Sequence, residues 1–235
     1  MKNAIILGSG GLDSVVCGYY TKLKMHYDNL IFLFFDYGQR TLKQEEECLK
    51  FHAKKLGWKI IKVDITWLGE ISGSFINNDG SEFPVTTDEI MKDKEKEKSM
   101  ILNWIVPCRN TVFLSVALAH AEAYDLKGRG KFDIFVGFDG GSVRYKDTTP
   151  KFIGFFNKLI NECTENGDYK VISPLIKKDK DEIIKIGQEL GVDFTKTYSC
   201  YIGGEGLVHC GKCSNCMYRK QAFYWAGLED PSTYK

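Results

Sequence analysis

Four cysteines near one end of the chain are spaced as Cys200-x9-Cys210-x2-Cys213-x2-Cys216. Thiolates are soft ligands, and the close pairs Cys210/Cys213 and Cys213/Cys216 have spacings that recur in zinc sites. Four sulfurs fill a tetrahedral shell and leave no open position for a water nucleophile, so the expected Zn2+ is structural. An iron–sulfur cluster is the competing reading, because three cysteines on x2 spacing also occur in ferredoxin-like runs. Buried cysteines without metal are the blandest reading. His209 is then a neighbour of the metal shell or a group facing substrate. A second chemical signal lies at the other end, in "AIILGSGGLDSVVCGYY". There Gly8, Ser9, Gly10, Gly11, Leu12, Asp13 and Ser14 join an apolar run to a helix-period run. Glycines let the backbone approach a phosphate closely, and the amides and dipole of the following helix favour negative charge. Ser9 and Ser14 add hydroxyl donors. No Gly-Lys-Ser/Thr follows and the Rossmann glycine spacing is absent, so this is neither of those loops. The plain alternative is a strand-to-helix turn capped by Asp13 or Ser14.

The elements that must position these groups alternate. Short β-rich runs at Ala4 to Leu7, Leu30 to Phe35, Lys59 to Val63, Asp133 to Phe138 and Val171 to Ser173 are separated by helical patterns. Leu42, Leu49, Ala53 and Leu56 share one helix face beside the charged run Lys43 to Glu47, with Gly57 as a stop. Val112, Phe113, Val116, Ala117 and Ala121 mark a helix apolar nearly all round and therefore central. Such alternation implies right-handed crossovers and a doubly wound α/β parallel sheet covered on both faces. Ligands of these sheets lie beyond the carboxyl ends of the strands, at the loops opening at Gly8, Asp36 and Gly137. The division expected is residues 1–195 as one domain with a flexible insertion about 69–99, and 196–235 as a metal-bearing segment packed on it. The insertion is either a flap over the site or a solvated loop.

A formal charge of +1 disfavours a polybasic nucleic-acid coat, so no stable nucleic-acid partner is expected. No apolar run reaches the ~20 residues of a membrane helix, and Ala4 to Leu7 is too short for a signal-peptide core. The expected location is cytoplasmic. Clustering of the cysteines speaks for metal and against a secreted disulfide framework.

The segment "SGGLDS" resembles the pyrophosphate loop of the PP-loop ATP pyrophosphatases, a superfamily of adenine nucleotide alpha hydrolase-like fold. The resemblance implies that the loop holds the pyrophosphate of ATP while a substrate oxygen attacks the α-phosphate. Asp13 in a phosphate loop makes sense if a divalent cation bridges it to the triphosphate, so Mg2+ is expected. Asp36 and Tyr37, in "DYGQR", sit where the superfamily places its nucleoside contacts. "PCRNTVFLSVA", "SPLIKKDKDEIIKIGQELG" and "TYSCYIGGEGLVHCGKCSNCMYRKQAF" narrow the likeness to the 7-cyano-7-deazaguanine synthase family, from Gly8 to Phe223. That family adenylates the carboxylate of 7-carboxy-7-deazaguanine, lets ammonia displace AMP to give the amide, and dehydrates the amide to the nitrile with a second ATP. Its zinc is structural, and it is commonly a homodimer.

Departures cluster around the expected substrate. Cys108 precedes Arg109-Asn110 where the family has Gly. Thr41 stands in place of a His. "GFDGGSVRYKDTTPKF" is one residue shorter than the family's loop, with Thr148-Thr149 in place of Cys-Arg. On the resemblance, Ser9, Asp13, Ser14 and Arg109 are the catalytic candidates. Arg109 is read as a fork for the substrate carboxylate or the ATP phosphates, or else as a helix-terminal arginine in a surface ion pair. Asn110 is a substrate contact. Asp139 and Asp147 would accept from the amidine edge of the deazaguanine, or are ordinary turn and cap aspartates. Cys108 is a weak nucleophile candidate, because adenylation already activates the acyl group. Lys177 to Lys180 form a solvated helix entrance unless one lysine reaches a phosphate. Besides the nitrile-forming synthase, the readings left open are a ligase joining the same carboxylate to another amine, such as a protein N-terminus, and a PP-loop module serving tRNA modification.

Overall fold

The computed structural model describes residues 2–78, 80, 82–141 and 145–235, apart from the side chain of Asp88. It opens with β1 (Asn3–Leu7), α1 (Leu12–Leu23), β2 (Asn29–Asp36), α2 (Leu42–Leu56) and β3 (Lys59–Asp64). The short α3 (Trp67–Glu70), α4 (Asp88–Lys92) and α5 (Lys94–Leu102) follow, then α6 (Arg109–Leu126) and β4 (Phe132–Phe135). The chain completes with α7 (Pro150–Cys163), β5 (Val171–Ile172), α8 (Lys180–Glu189) and α9 (Ser214–Ala226).

The five strands form one sheet in the order β3-β2-β1-β4-β5, and every pairing is parallel. Strand residues alternate between two cores, as a period of two requires. Ile5, Ile31, Leu33, Phe35 and Ile134 face α6 and α7, meeting Leu114, Ala117, Ala121, Phe156 and Ile160. Ala4, Ile6, Phe32, Phe34 and Phe135 face the opposite layer, where α1, α2, α8 and α9 contribute Val16, Tyr19, Leu49, Ile184 and Phe223. A strand buried on both sides has no polar face, which is why Leu30 to Phe35 is apolar without a break. The doubly wound parallel sheet is therefore as expected. Chain order reverses between β1 and β4, and the crevice beyond their carboxyl ends is the position where such sheets take ligands.

Two details differ from the sequence reading, and a third adds to it. The fourth strand stops at Phe135 instead of reaching Phe138, because Gly137 runs against the backbone of Asp13 so closely that a Cβ would overlap the Asp13 carbonyl. Helix α6 is not buried all round. It presses Leu114, Ala117, Leu118 and Ala121 onto the sheet, while Val112, Phe113 and Val116 are only partly covered. The stretch 69–99 is not a bare loop. The Arg40 amide donates to the Ile76 carbonyl, the Thr86 amide donates to the Lys212 carbonyl, and the charged run from Lys94 is helical, capped by the Asp93 carboxylate.

Beyond Val192 the chain wraps around one buried cation. Arg219 on α9 is 1% exposed and donates to the Phe194 carbonyl, the Thr197 and Ser199 hydroxyls and the Asp230 carboxylate. A buried guanidinium with its donors satisfied fastens the stretch from Phe194 to Ser199 to Asp230 beyond α9.

Candidate active site

The phosphate-loop candidate leaves β1 through the Gly8 amide, which still donates to the Leu33 carbonyl at 3.0 Å. Gly10 takes φ +70°, and a Cβ there would overlap the carbonyl oxygen of Glu45 on α2. Ser14 Oγ donates to the Gly11 carbonyl at 3.0 Å and accepts the Ser9 amide at 3.2 Å. These bonds close the loop on itself, and the Tyr198 amide pins it from outside by donating to the Gly10 carbonyl at 3.0 Å. Neither Asp13 nor Ser14 caps α1. The N-cap is Gly11, which makes no side-chain cap hydrogen bond, so the start of α1 is left for an anion.

Lys180, the first residue of α8, reaches across to this loop. Its Nζ lies 3.1 Å from Asp13 Oδ2 and 3.7 Å from Asp139 Oδ2. Of the lysines from Lys177 to Lys180, it is the one that lines the cavity. Burial raises the pKa of Asp13, an effect that Lys180 opposes and Asp139 reinforces. Asp13 Oδ1 is buried and has no hydrogen-bond partner among the described residues. An orphaned carboxylate oxygen inside a phosphate loop fits a divalent cation.

Around these groups lies one cavity of about 630 Å³ that also takes in Tyr37, Arg109, Asn110, Phe113, Tyr145 and Tyr201. Arg109 makes no ion pair with a carboxylate among the described residues, which removes the surface-pair reading. Its guanidinium carbon sits 5.8 Å from the centre of the Tyr37 ring. Burial works against its charge, but Tyr37, Tyr201, Tyr145 and Asp147 raise its pKa overall. Phe113 stacks on Phe35 with ring centres 4.1 Å apart, giving that end of the cavity an aromatic floor.

The other site candidates divide. Ser9, Gly8, Gly11, Leu12, Asp13, Ser14, Tyr37, Arg109, Asn110 and Asp139 line the cavity, with Gly10 in the same loop. Asp36 is outside the lining and pairs with Lys62 on β3 at 3.0 Å. Asp147 is outside it as well, and accepts the Asn110 amide at 3.4 Å in the first turn of α6. Asp139 also accepts the Gly141 amide at 2.9 Å in a turn. Cys108 is exposed with φ +49° just before α6, a left-handed position that explains a glycine in its place. In the loop from Phe138 to Thr149, residues 142–144 lie outside the described residues.

The four C-terminal cysteines are all buried, and their sulfurs lie within 4.8 Å of one another. Sulfurs about 3.8 Å apart are what a tetrahedral shell of 2.3 Å bonds demands. Cys210 and Cys216 are 3.9 Å apart, and Cys213 and Cys216 are 3.4 Å apart. The amides of Ile202 and Cys210 both donate to Cys200 Sγ at 3.3 Å, and the Cys213 amide donates to Cys210 Sγ at 3.3 Å. Amides aimed at sulfur favour thiolates, so the cluster can hold a metal ion. His209 does not join it. Its Nε2 accepts the Ser199 amide at 3.1 Å, and its ring packs between Tyr198 and Tyr234.

Glu45 escaped the sequence reading of roles, and Lys180 entered it only as one of the lysines from Lys177 to Lys180 that could reach a phosphate. Each sits in a charged run that reads as a solvated helix face, and only the contact across the fold reveals it.

The family described as queuosine biosynthesis protein QueC matches residues 3–227. A 7-cyano-7-deazaguanine synthase of Methanothermobacter thermautotrophicus is 36% identical over 234 residues, 99% of this chain and 99% of that one. Another from Cellvibrio japonicus is 38% identical over 241 residues, 99% of this chain and 98% of its own length. A solved 4-thiouridine synthetase–RNA complex with bound ATP is similar at 18% identity and a TM-score of 0.48, over 96% of this chain and 50% of that one.

Proposed function

The chain belongs to the queuosine biosynthesis protein QueC family, and on that premise we propose that it is a 7-cyano-7-deazaguanine synthase, an ATP-dependent carbon–nitrogen ligase. The observation that carries this reading is the single cavity holding both the phosphate loop and Arg109. A carboxylate resists attack by an amine until its oxygen belongs to a good leaving group. The carboxylate oxygen of 7-carboxy-7-deazaguanine attacks the α-phosphate of ATP and pyrophosphate leaves. Ammonia then adds to the acyl carbon and AMP leaves, giving the amide. A second ATP adenylates the amide oxygen, with pyrophosphate and one N–H proton leaving, and loss of AMP with the remaining N–H proton gives the nitrile.

In this reading Ser9 to Ser14 and the uncapped first turn of α1 hold the departing pyrophosphate, with Lys180 adding its charge. Arg109 orients the substrate carboxylate with its planar fork. Tyr37, without Asp36, is left as the nucleoside contact, and Asn110 and Asp139 face the base. Asp13 Oδ1 would hold Mg2+, which supplies charge neutralisation to the triphosphate. Cys200, Cys210, Cys213 and Cys216 would hold Zn2+, whose closed shell supplies folding energy and no open coordination site. Residues 1–195 then form the ATP-binding domain with 69–99 as its insertion, and 196–235 the zinc-bearing segment. A homodimer in the cytoplasm accords with the family. Ammonia is the amine assigned; neither a protein N-terminus as acceptor nor a tRNA-modification role has an observation in its favour.

The test is mass spectrometry of the products from 7-carboxy-7-deazaguanine, ATP, Mg2+ and ammonium. The amide should appear first and the nitrile after it, with AMP and pyrophosphate. Absence of any adenylate or AMP, with the protein folded, would reject the reading.

A further inference from the structure

Resting on the synthase reading, we infer that Glu45 is the proton acceptor for the nitrogen, taking the N–H proton during amine capture and again during nitrile formation. Both steps release a proton from nitrogen, whereas adenylation of the carboxylate releases none.

The other carboxylates lining the cavity are occupied. Asp13 and Asp139 face Lys180, Asp181 pairs with Lys185, Asp179 caps α8, and Glu97 accepts the Tyr218 hydroxyl. Glu45 has only neutral donors and no ion pair among the described residues. Its Oε1 accepts the Thr41 hydroxyl at 2.6 Å, and its Oε2 accepts Gln39 Nε2 at 3.1 Å. Gln39 cannot turn away, because its Oε1 accepts the Tyr37 amide and its Nε2 also donates to the Phe35 carbonyl.

Its location suits the chemistry. The carbonyl of Glu45 rests against Gly10 of the phosphate loop, and its carboxylate lies within the field of Arg109. In the synthase reading the departing pyrophosphate is held at the first place and the substrate carboxylate at the second, so Glu45 lies beside the acyl carbon at which the amine replaces AMP. The titratable and charged groups facing it are Arg109 from α6, Tyr37 from the turn after β2 and Cys48 one turn along its own helix. Burial pushes the Glu45 carboxyl up to about 7, against the lowering effects of Thr41, Gln39 and Arg109. A carboxyl at that value takes and returns a proton near neutrality. The accepted proton passes to solvent once AMP has left.

Glu45→Gln keeps the shape and both hydrogen bonds, since the amide can donate to the Thr41 hydroxyl and accept from Gln39. In single turnover without amine, the burst of pyrophosphate should stay within about threefold of wild type. On adding ammonium, transfer should fall by about 10² to 10⁴, the usual worth of a general base. The wild-type transfer rate should rise with pH through about 7, because the acceptor must be ionised, and this inflection should vanish in the variant. Glu45→Asp, which keeps an acceptor, should retain the inflection and part of the rate. Transfer near the wild-type rate in Glu45→Gln, an unchanged pH profile, or equal loss of burst and transfer each overturns the assignment. A wild-type protein with no burst overturns the synthase reading and this inference together; a wild-type burst with normal transfer in the variant overturns this inference alone.

Discussion

Lys180 lies between Asp13 and Asp139, and in the proposed reading a triphosphate entering the loop brings the negative charge that competes for it. The ammonium is thus placed before the nucleotide arrives, at the cost of pairing with two carboxylates that a metal ion would otherwise relieve. Lys180→Met removes the cation and keeps the stem. We expect kcat/KM for ATP to fall by about 10- to 100-fold, the worth of a charge-assisted hydrogen bond of about 1.5–3 kcal/mol. Affinity for 7-carboxy-7-deazaguanine alone should be unchanged. Calorimetric titration with a non-hydrolysable ATP analogue and with the base separates the two, and equal loss of both would place Lys180 in general scaffolding.

At the scale of elements, the two ends of the chain meet through backbone contacts. The Tyr198 amide holds Gly10, so the stretch leading into the first metal-ligand candidate, Cys200, is bonded directly to the phosphate loop. Breaking the cluster should therefore loosen the fold before it selectively slows chemistry. Elemental analysis should find one equivalent of zinc per chain, and Cys213→Ser should abolish it and lower the melting temperature by about 10 °C or more, as a loss of several kcal/mol implies at this size. Any folded fraction should turn over at a rate near normal; a stable, metal-free and inactive variant would contradict the structural role. Local signals made much of this legible. The strands were readable because burial on both faces leaves continuous apolar runs, and the cysteine cluster because its members are close in sequence. Lys180 was not singled out because it lies 167 positions from Asp13, and Glu45 was hidden because "LKQEEE" has the composition of a solvated face. The early end of β4 depends on a close approach of Gly137 to another loop, which no residue near Gly137 announces.

On the scale of the whole molecule, the segment carrying α4 and α5 reaches the cavity and is tied to α9, where the Tyr218 hydroxyl donates to Glu97. Met91, Glu97 and Ile101 line the cavity from α4 and α5, and Tyr218 and Trp225 line it from α9. Tyr218→Phe deletes that fastening without disturbing a core. It should raise KM for the base about fivefold, the worth of about 1 kcal/mol, and leave the melting temperature within a degree or two. Steady-state kinetics with thermal melting check this, and an unchanged KM would show that the contact does not bear on binding of the base. The same architecture has a consequence for synthesis on the ribosome. The loop at residues 8–14 is made early, yet its walls arrive late: Gly137 from after β4, Lys180 from α8 and the Tyr198 amide beyond them. A ligand stabilises only the state that binds it, so ATP in the cell cannot rescue a half-made chain. Until nearly 200 residues have emerged, the nascent protein must rely on its apolar strands and on whatever shields them, because its nucleotide site does not yet exist.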